Sequence, residues 1–188
     1  MTDLSVLLAR GLGEFERRVR RVSARQWQDP TPCSGWDVRA LVNHVTVEQL
    51  WAPELFRGRT IEEVGDRFAG DQLGSDPVAT WERAAAGSEA AFSVEDALLG
   101  RVHLSYGLSA ASHYCGEMTV DLVVHTWDLA RAIGADERLD DELVGYAYEQ
   151  GLARGTELSE SGWFAAAVPV AEDAPLPARM LALYGRVA

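Results

Sequence analysis

The stretch Ser109 to Gly134, SAASHYCGEMTVDLVVHTWDLARAIG, decides how this chain folds. It reads as one helix to Ile133, with Gly134 as its C-terminal stop. His113, Glu117, Asp121, His125 and Asp128 follow one another at steps of four, four, four and three. Those steps gather them into a sector of about 120°. Met118, Val120, Leu122, Val123, Val124, Trp127, Leu129, Ala130 and Ile133 fill the rest of the circumference. A polar stripe ordinarily faces water. Here the apolar arc is wider than the ~100° stripe of a surface helix, which argues for a more embedded position. Asp121 and His125, at i and i+4, can converge on one ion.

Outward from this helix, the other periodic segments are helical too. Leu4, Leu7, Leu8, Leu12, Phe15, Val19 and Val22 make one apolar stripe, predicting a helix from about Asp3 to Ser23. The loop Gln28 to Gly35 contains Pro30, Pro32 and Gly35 and breaks the pattern. A second helix is expected from Ser34–Trp36 to about Phe56, with Ser34 as N-cap and Asp37 at the positive end of the dipole. A polar linker with four glycines covers Arg57 to Asp76, and Asp76-Pro77 opens a third helix to about Phe92. Val102 to Gly107 alternates briefly and reads as an extended crossover. A fifth helix is expected from about Asp140 to Leu158, then an extended tail from Trp163 to Pro177 and a short helix from Ala178 to Tyr184. The expected class is all-α, a helical bundle with one long crossover, forming a single domain over residues 1–188.

Composition sets the outer limits. The 188 residues are 47% hydrophobic and 24% charged, the balance of a globular domain. With 29 acidic against 17 basic residues the formal charge is −12, which does not suit a nucleic-acid binder. The one basic run, Arg17-Arg18-Val19-Arg20-Arg21, reads as the outer face of the first helix. Two cysteines, Cys33 and Cys115, cannot form a disulfide framework and suit a reducing cytoplasm. No leader sequence and no apolar run of the ~18 residues a membrane span needs is read, so no membrane partner is expected.

The chemistry is expected where two helices meet. His44 shares a face with Trp36, Ala40, Val47 and Trp51. It is a core histidine, or, if its helix neighbours the one above, a partner for Asp121 and His125. Two imidazoles and one carboxylate suit Zn²⁺ and accept Ni²⁺ or Fe²⁺, and three protein ligands leave a position open. Glu48, four residues after His44, is read as an orienting group, a base or a surface residue. Glu117 is the alternative carboxylate and, with Glu48, a candidate for proton transfer. Cys33 is read as a loop cysteine or a nucleophile at a helix N-terminus.

Thr31-Pro32-Cys33-Ser34-Gly35-Trp36-Asp37-Val38 with Leu41-Val42-Asn43-His44, and Asp121-Leu122-Val123-Val124-His125-Thr126-Trp127-Asp128-Leu129-Ala130-Arg131, resemble an actinobacterial group within the DinB-like superfamily. So do Phe164 to Val170 and the closing Gly185-Arg186. The group is similar to the metal-binding N-terminal domain of mycothiol-dependent maleylpyruvate isomerase. The resemblance implies a four-helix bundle of up-down-down-up type, with a metal held at the positions of His44, Asp121 and His125. The family pattern often has Glu where this chain has the shorter Asp121.

The resemblance further implies a transferase, or a related hydrolase, that uses a low-molecular-weight thiol such as mycothiol and an electrophile. The isomerase's second domain has no counterpart here, so isomerase activity on maleylpyruvate is not expected. The alternatives are a non-catalytic metal- or ligand-binding module, and a bundle that holds no metal. Homodimerisation through a broad apolar face is the expected self-association.

Overall fold

A computed structural model describes residues 3–155 and 162–188. The first helix, α1 (Leu4–Val19), is capped by the Asp3 side chain, which accepts from the Ser5 amide. It ends before the predicted Ser23, because the Ser23 amide and hydroxyl both donate to Gln26 Oε1 and close a turn. The second helix, α2 (Val38–Phe56), starts later than Ser34. Pro30 and Asp37 form an antiparallel bridge that keeps the Cys33 loop out of the helix. Asp37, not Ser34, is the N-cap, accepting from the Ala40 amide at 2.8 Å.

The linker between α2 and the third predicted helix holds a short helix, α3 (Ile61–Val64). Its Thr60 and Glu63 satisfy each other's backbone amides as a capping box, a signature the linker reading passed over. Then comes α4 (Pro77–Phe92), capped by Asp76 with Pro77 in the first turn, as expected. The predicted crossover is instead a hairpin: β1 (Arg101–Leu104) pairs antiparallel with β2 (Gly107–Ala110), Leu104 opposite Gly107. Ser105 and Tyr106 make the turn, and Gly107 opens β2 with φ +123°. Ser109 therefore lies in a strand, and the long helix α5 runs Ala111–Ile133, ending on Gly134 in the left-handed region. It is followed by α6 (Asp141–Arg154), and the predicted stretch to Leu158 lies outside the described residues. The last helix, α7, is Leu176–Leu183.

The chain is thus mainly helical, with one small two-stranded sheet among the described residues. Helix α1 packs on α5 and α4, and α2 packs on the same two, which closes a ring of four. Phe15 and Trp81 meet at 4.7 Å across α1 and α4. Helices α6 and α7 cover the opposite side of α5. One apolar cluster lies within the ring and a second between α5, α6 and α7, and α5 contributes to both. Sixteen of its 23 residues are buried, which is why its apolar arc is so wide. No helix among the described residues is long and apolar enough to cross a membrane.

The arginines of the basic run lie on the surface as expected, except Arg18. Arg18 is buried and donates to the backbone carbonyls of Asp136 and Arg138, tying α1 to the loop after α5. Arg17 and Arg20 pair with Glu14 and Glu16 on the exposed face.

Candidate metal centre

The contact between α2 and α5 brings three separated side chains together. His44 comes from α2, and Asp121 and His125 come from successive turns of α5. His44 Nε2 lies 3.6 Å from Asp121 Oδ1, and His125 Nε2 lies 3.3 Å from the same oxygen. One donor atom from each of the three falls within 4.8 Å of the others. Trp36 forms a wall beside them, its ring 4.8 Å from that of His44 and 6.0 Å from that of His125.

The donor set fits a divalent cation. Asp121 Oδ2 is buried with no hydrogen-bond partner. A buried carboxylate oxygen left alone is costly unless something positive meets it. Burial alone would push the Asp121 carboxyl up, but the His125 and His44 imidazoles outweigh it and hold the group well below the usual carboxylate range. Burial likewise opposes a charged His125, and Asp121, then Asp128, raise it well above the usual histidine value. The cluster as it stands is held by a proton that a cation would have to displace.

The far side of His125 is equally well made. Its Nδ1 lies 2.9 Å from Oδ2 of Asp128, three residues further along α5 and fully buried. Arg186, in the segment after α7, grips Asp128 with two bonds, Nε to Oδ1 at 3.1 Å and Nη2 to Oδ2 at 2.8 Å. The ionised Asp128 accepts from Nδ1–H, so the proton a cation would displace is the one on Nε2, which faces Asp121 and His44. Cys33 Sγ completes this side, donating to Asp128 Oδ2 at 3.1 Å and accepting from Arg186 Nη2 at 3.2 Å. Cys33, His125 and Asp128 also lie close enough to share a cation. The buried guanidinium already supplies positive charge there, so the His44 side is the better site. Cys33 is half-buried in the loop, and α2 begins five residues beyond it.

A cavity of about 500 Å³ opens over the three residues. Glu48 stands in its wall, its carboxyl pushed up to about 7 by burial and by the charge of Asp121. Glu117 stands one turn before Asp121 but is held by Arg154 from α6 and by the Tyr106 hydroxyl at 2.6 Å. It does not join the three-residue cluster. His113, at the end of the stripe, is exposed and reaches Glu117 at 3.2 Å. The sequence reading gave no role to Asp128, although its i+3 spacing from His125 carried the signal. It also missed Arg154, Trp163 and Arg186, which reach the site only through the tertiary fold.

A profile of the family described as "Mycothiol maleylpyruvate isomerase N-terminal domain" matches residues 8–130, a span that includes His44, Asp121, His125 and Asp128. Two proteins of Mycobacterium tuberculosis, from strains CDC 1551 / Oshkosh and ATCC 25618 / H37Rv, are each 29% identical over 168 residues, covering 87% of this chain and 83% of their own. Both are described as uncharacterized. No solved structure matches the chain. With more than half of its length matched, the chain belongs to the mycothiol maleylpyruvate isomerase N-terminal domain family.

Proposed function

We propose that His44, Asp121 and His125 hold one divalent metal ion in a DinB-like four-helix bundle of up-down-down-up type, formed by α1, α2, α4 and α5. On this reading the protein is a metal-dependent transferase, or a related hydrolase, acting with a low-molecular-weight thiol such as mycothiol. The observation that carries it is the unpartnered, buried Oδ2 of Asp121 beside two imidazoles at the floor of a cavity. Two nitrogens and one carboxylate suit Zn²⁺ best, with Ni²⁺ and Fe²⁺ also accepted by such a set.

When bound, the cation would supply Lewis acidity and orientation to a thiol or water at its open position. The chain's own residues do the rest. Asp128 and Arg186 hold the His125 ring in one orientation and one tautomer. Trp36 and Phe164 flank the His125 ring. On this reading Glu48, in the cavity wall, takes up the thiol proton. Glu117 is tied to Arg154 and Tyr106 and serves the cavity wall instead.

Zn²⁺-loaded protein incubated with mycothiol and 1-chloro-2,4-dinitrobenzene tests the reading. Thiol consumption well above that of His44→Ala supports transfer. Equal rates for the two proteins reject it, and metal binding without turnover would leave a non-catalytic binding module.

A further inference from the structure

We propose that the cavity over His44, Asp121 and His125 selects a flat, uncharged, apolar acceptor, aromatic or conjugated, and disfavours anions. The proposal rests on reading that cavity as the seat of a thiol transfer, and it names the class of molecule the thiol would meet.

The walls set the first constraint. The lining is mainly apolar, with Trp51, Leu55, Ile61, Met118 and Phe164 among its residues. A volume of about 500 Å³ accommodates a small ring system. Charge sets the second. Glu48, Glu117 and Asp121 present carboxylates to the cavity, and Arg154 is the one Lys or Arg among the described lining residues. Its guanidinium is already committed: it pairs with Glu117, lies 3.3 Å from His113 Nε2, and sits over the Trp163 ring at 5.7 Å. Residues 156–161, with the sequence TELSES, contain no Lys or Arg and can add no cation. Away from the Asp121–His125 cluster, a carboxylate entering this space would give up its hydration and find no uncommitted Lys or Arg to meet it.

The rim sets the third constraint. Tyr106, in the hairpin turn, and Trp163, in the segment after α6, are each 51% exposed while lining the cavity. Their ring centroids are 5.7 Å apart at an interplanar angle of 43°. Two large aromatic faces from separate elements at one opening are suited to stacking on a planar guest. Glu117 links the two features, since it both neutralises Arg154 and accepts the Tyr106 hydroxyl bond.

The test compares 2-acetylnaphthalene with 2-naphthoate, which share a ring system and differ by one charge, in equilibrium dialysis with chelator present. The acetyl compound is expected to bind the wild type at least about tenfold more tightly, the worth of one unmet buried charge at minimum. Glu117→Gln releases Arg154, so 2-naphthoate should gain about tenfold while 2-acetylnaphthalene changes little. That gain should vanish in Glu117→Gln/Arg154→Met, which separates the freed cation from a general loosening. Equal wild-type affinities, or a naphthoate gain that persists without Arg154, would overturn the proposal. The transfer reading stands or falls separately. Selective binding with no thiol transfer to 1-chloro-2,4-dinitrobenzene would sink the transfer and leave the cavity's preference. Transfer at equal kcat/KM to 1-chloro-2,4-dinitrobenzene and to its ring-carboxylated analogue would do the reverse.

Discussion

His125 Nδ1 lies 2.9 Å from Asp128 Oδ2, on the edge of the ring turned away from Asp121. One helix therefore supplies a metal-ligand candidate, the carboxylate beside it and the carboxylate that orients it, at steps of four and three. Asp128 can do this while fully buried because Arg186 returns from the end of the chain to neutralise it.

Removing that orienting bond should weaken metal binding without touching the ligands. Asp128→Asn is expected to lower Zn²⁺ affinity by about 10–100-fold, the usual cost of losing a carboxylate behind a ligating histidine. Titration against a competing chelator measures it. An unchanged affinity would mean that Asp128 serves only the fold.

Arg186→Met should destabilise the protein by about 3 kcal/mol or more, because it strands the buried Asp128 carboxylate. Urea denaturation reads this directly. Asp128→Leu/Arg186→Met, which removes both charges, should recover most of the loss. If the double variant is as unstable as the single one, the pair is not what holds the segment in place.

Gly185 precedes Arg186 in the same segment. It adopts φ +76°, and a Cβ there would stand 2.6 Å from Ala165 Cβ and 2.9 Å from the carbonyl oxygens of Ala165 and Ala166. Gly185→Ala should cost about 2–4 kcal/mol from strain and overpacking. It should also weaken Zn²⁺ binding, since Arg186 is the next residue.

Proton competition gives the metal site a defined pH dependence. The apo cluster keeps His125 protonated above its ordinary range, so a cation must expel that proton. Zn²⁺ affinity should therefore keep rising with pH past the ordinary histidine value of about 6.5. Calorimetry in buffers of different ionisation enthalpy should show about one proton released per ion.

Glu48 predicts an opposite trend in stability of the metal-free protein. Its carboxyl is raised from 4.5 to about 7, so its contribution is fully present below about 4.5 and is lost as pH rises through about 7. Glu48→Gln should thus gain on the wild type by about 1–3 kcal/mol between pH 5 and pH 8. A pH-independent difference between the two in denaturant melts would contradict the burial assigned to this group.

Local chemistry was readable in the sequence wherever it acts over one or two turns. The 3.6-residue stripes, the Asp76-Pro77 start and the Gly134 stop appear where the periodicity predicts them. Asp121 and His125 follow from i+4 spacing alone, and pairing them with His44 needed only that α2 and α5 be neighbours. What stayed hidden is long-range or backbone-driven. The Pro30–Asp37 bridge moved the start of α2 to a cap that Ser34 would otherwise claim. The hairpin strands are four residues each, too short for alternation to distinguish them from a crossover. Arg186 finds Asp128 across 58 residues, and no local pattern announces such a meeting.

If His44, Asp121 and His125 together hold one divalent ion, the purified protein should carry it. Elemental analysis of the untagged protein, purified without chelator, tests it most directly. About one transition-metal ion per chain is expected in the wild type, with Zn²⁺ foremost, and a small fraction of that in folded His44→Ala and Asp121→Ala. Wild-type protein with no bound metal after Zn²⁺ loading and dialysis, or variants that keep a full complement, would contradict the account.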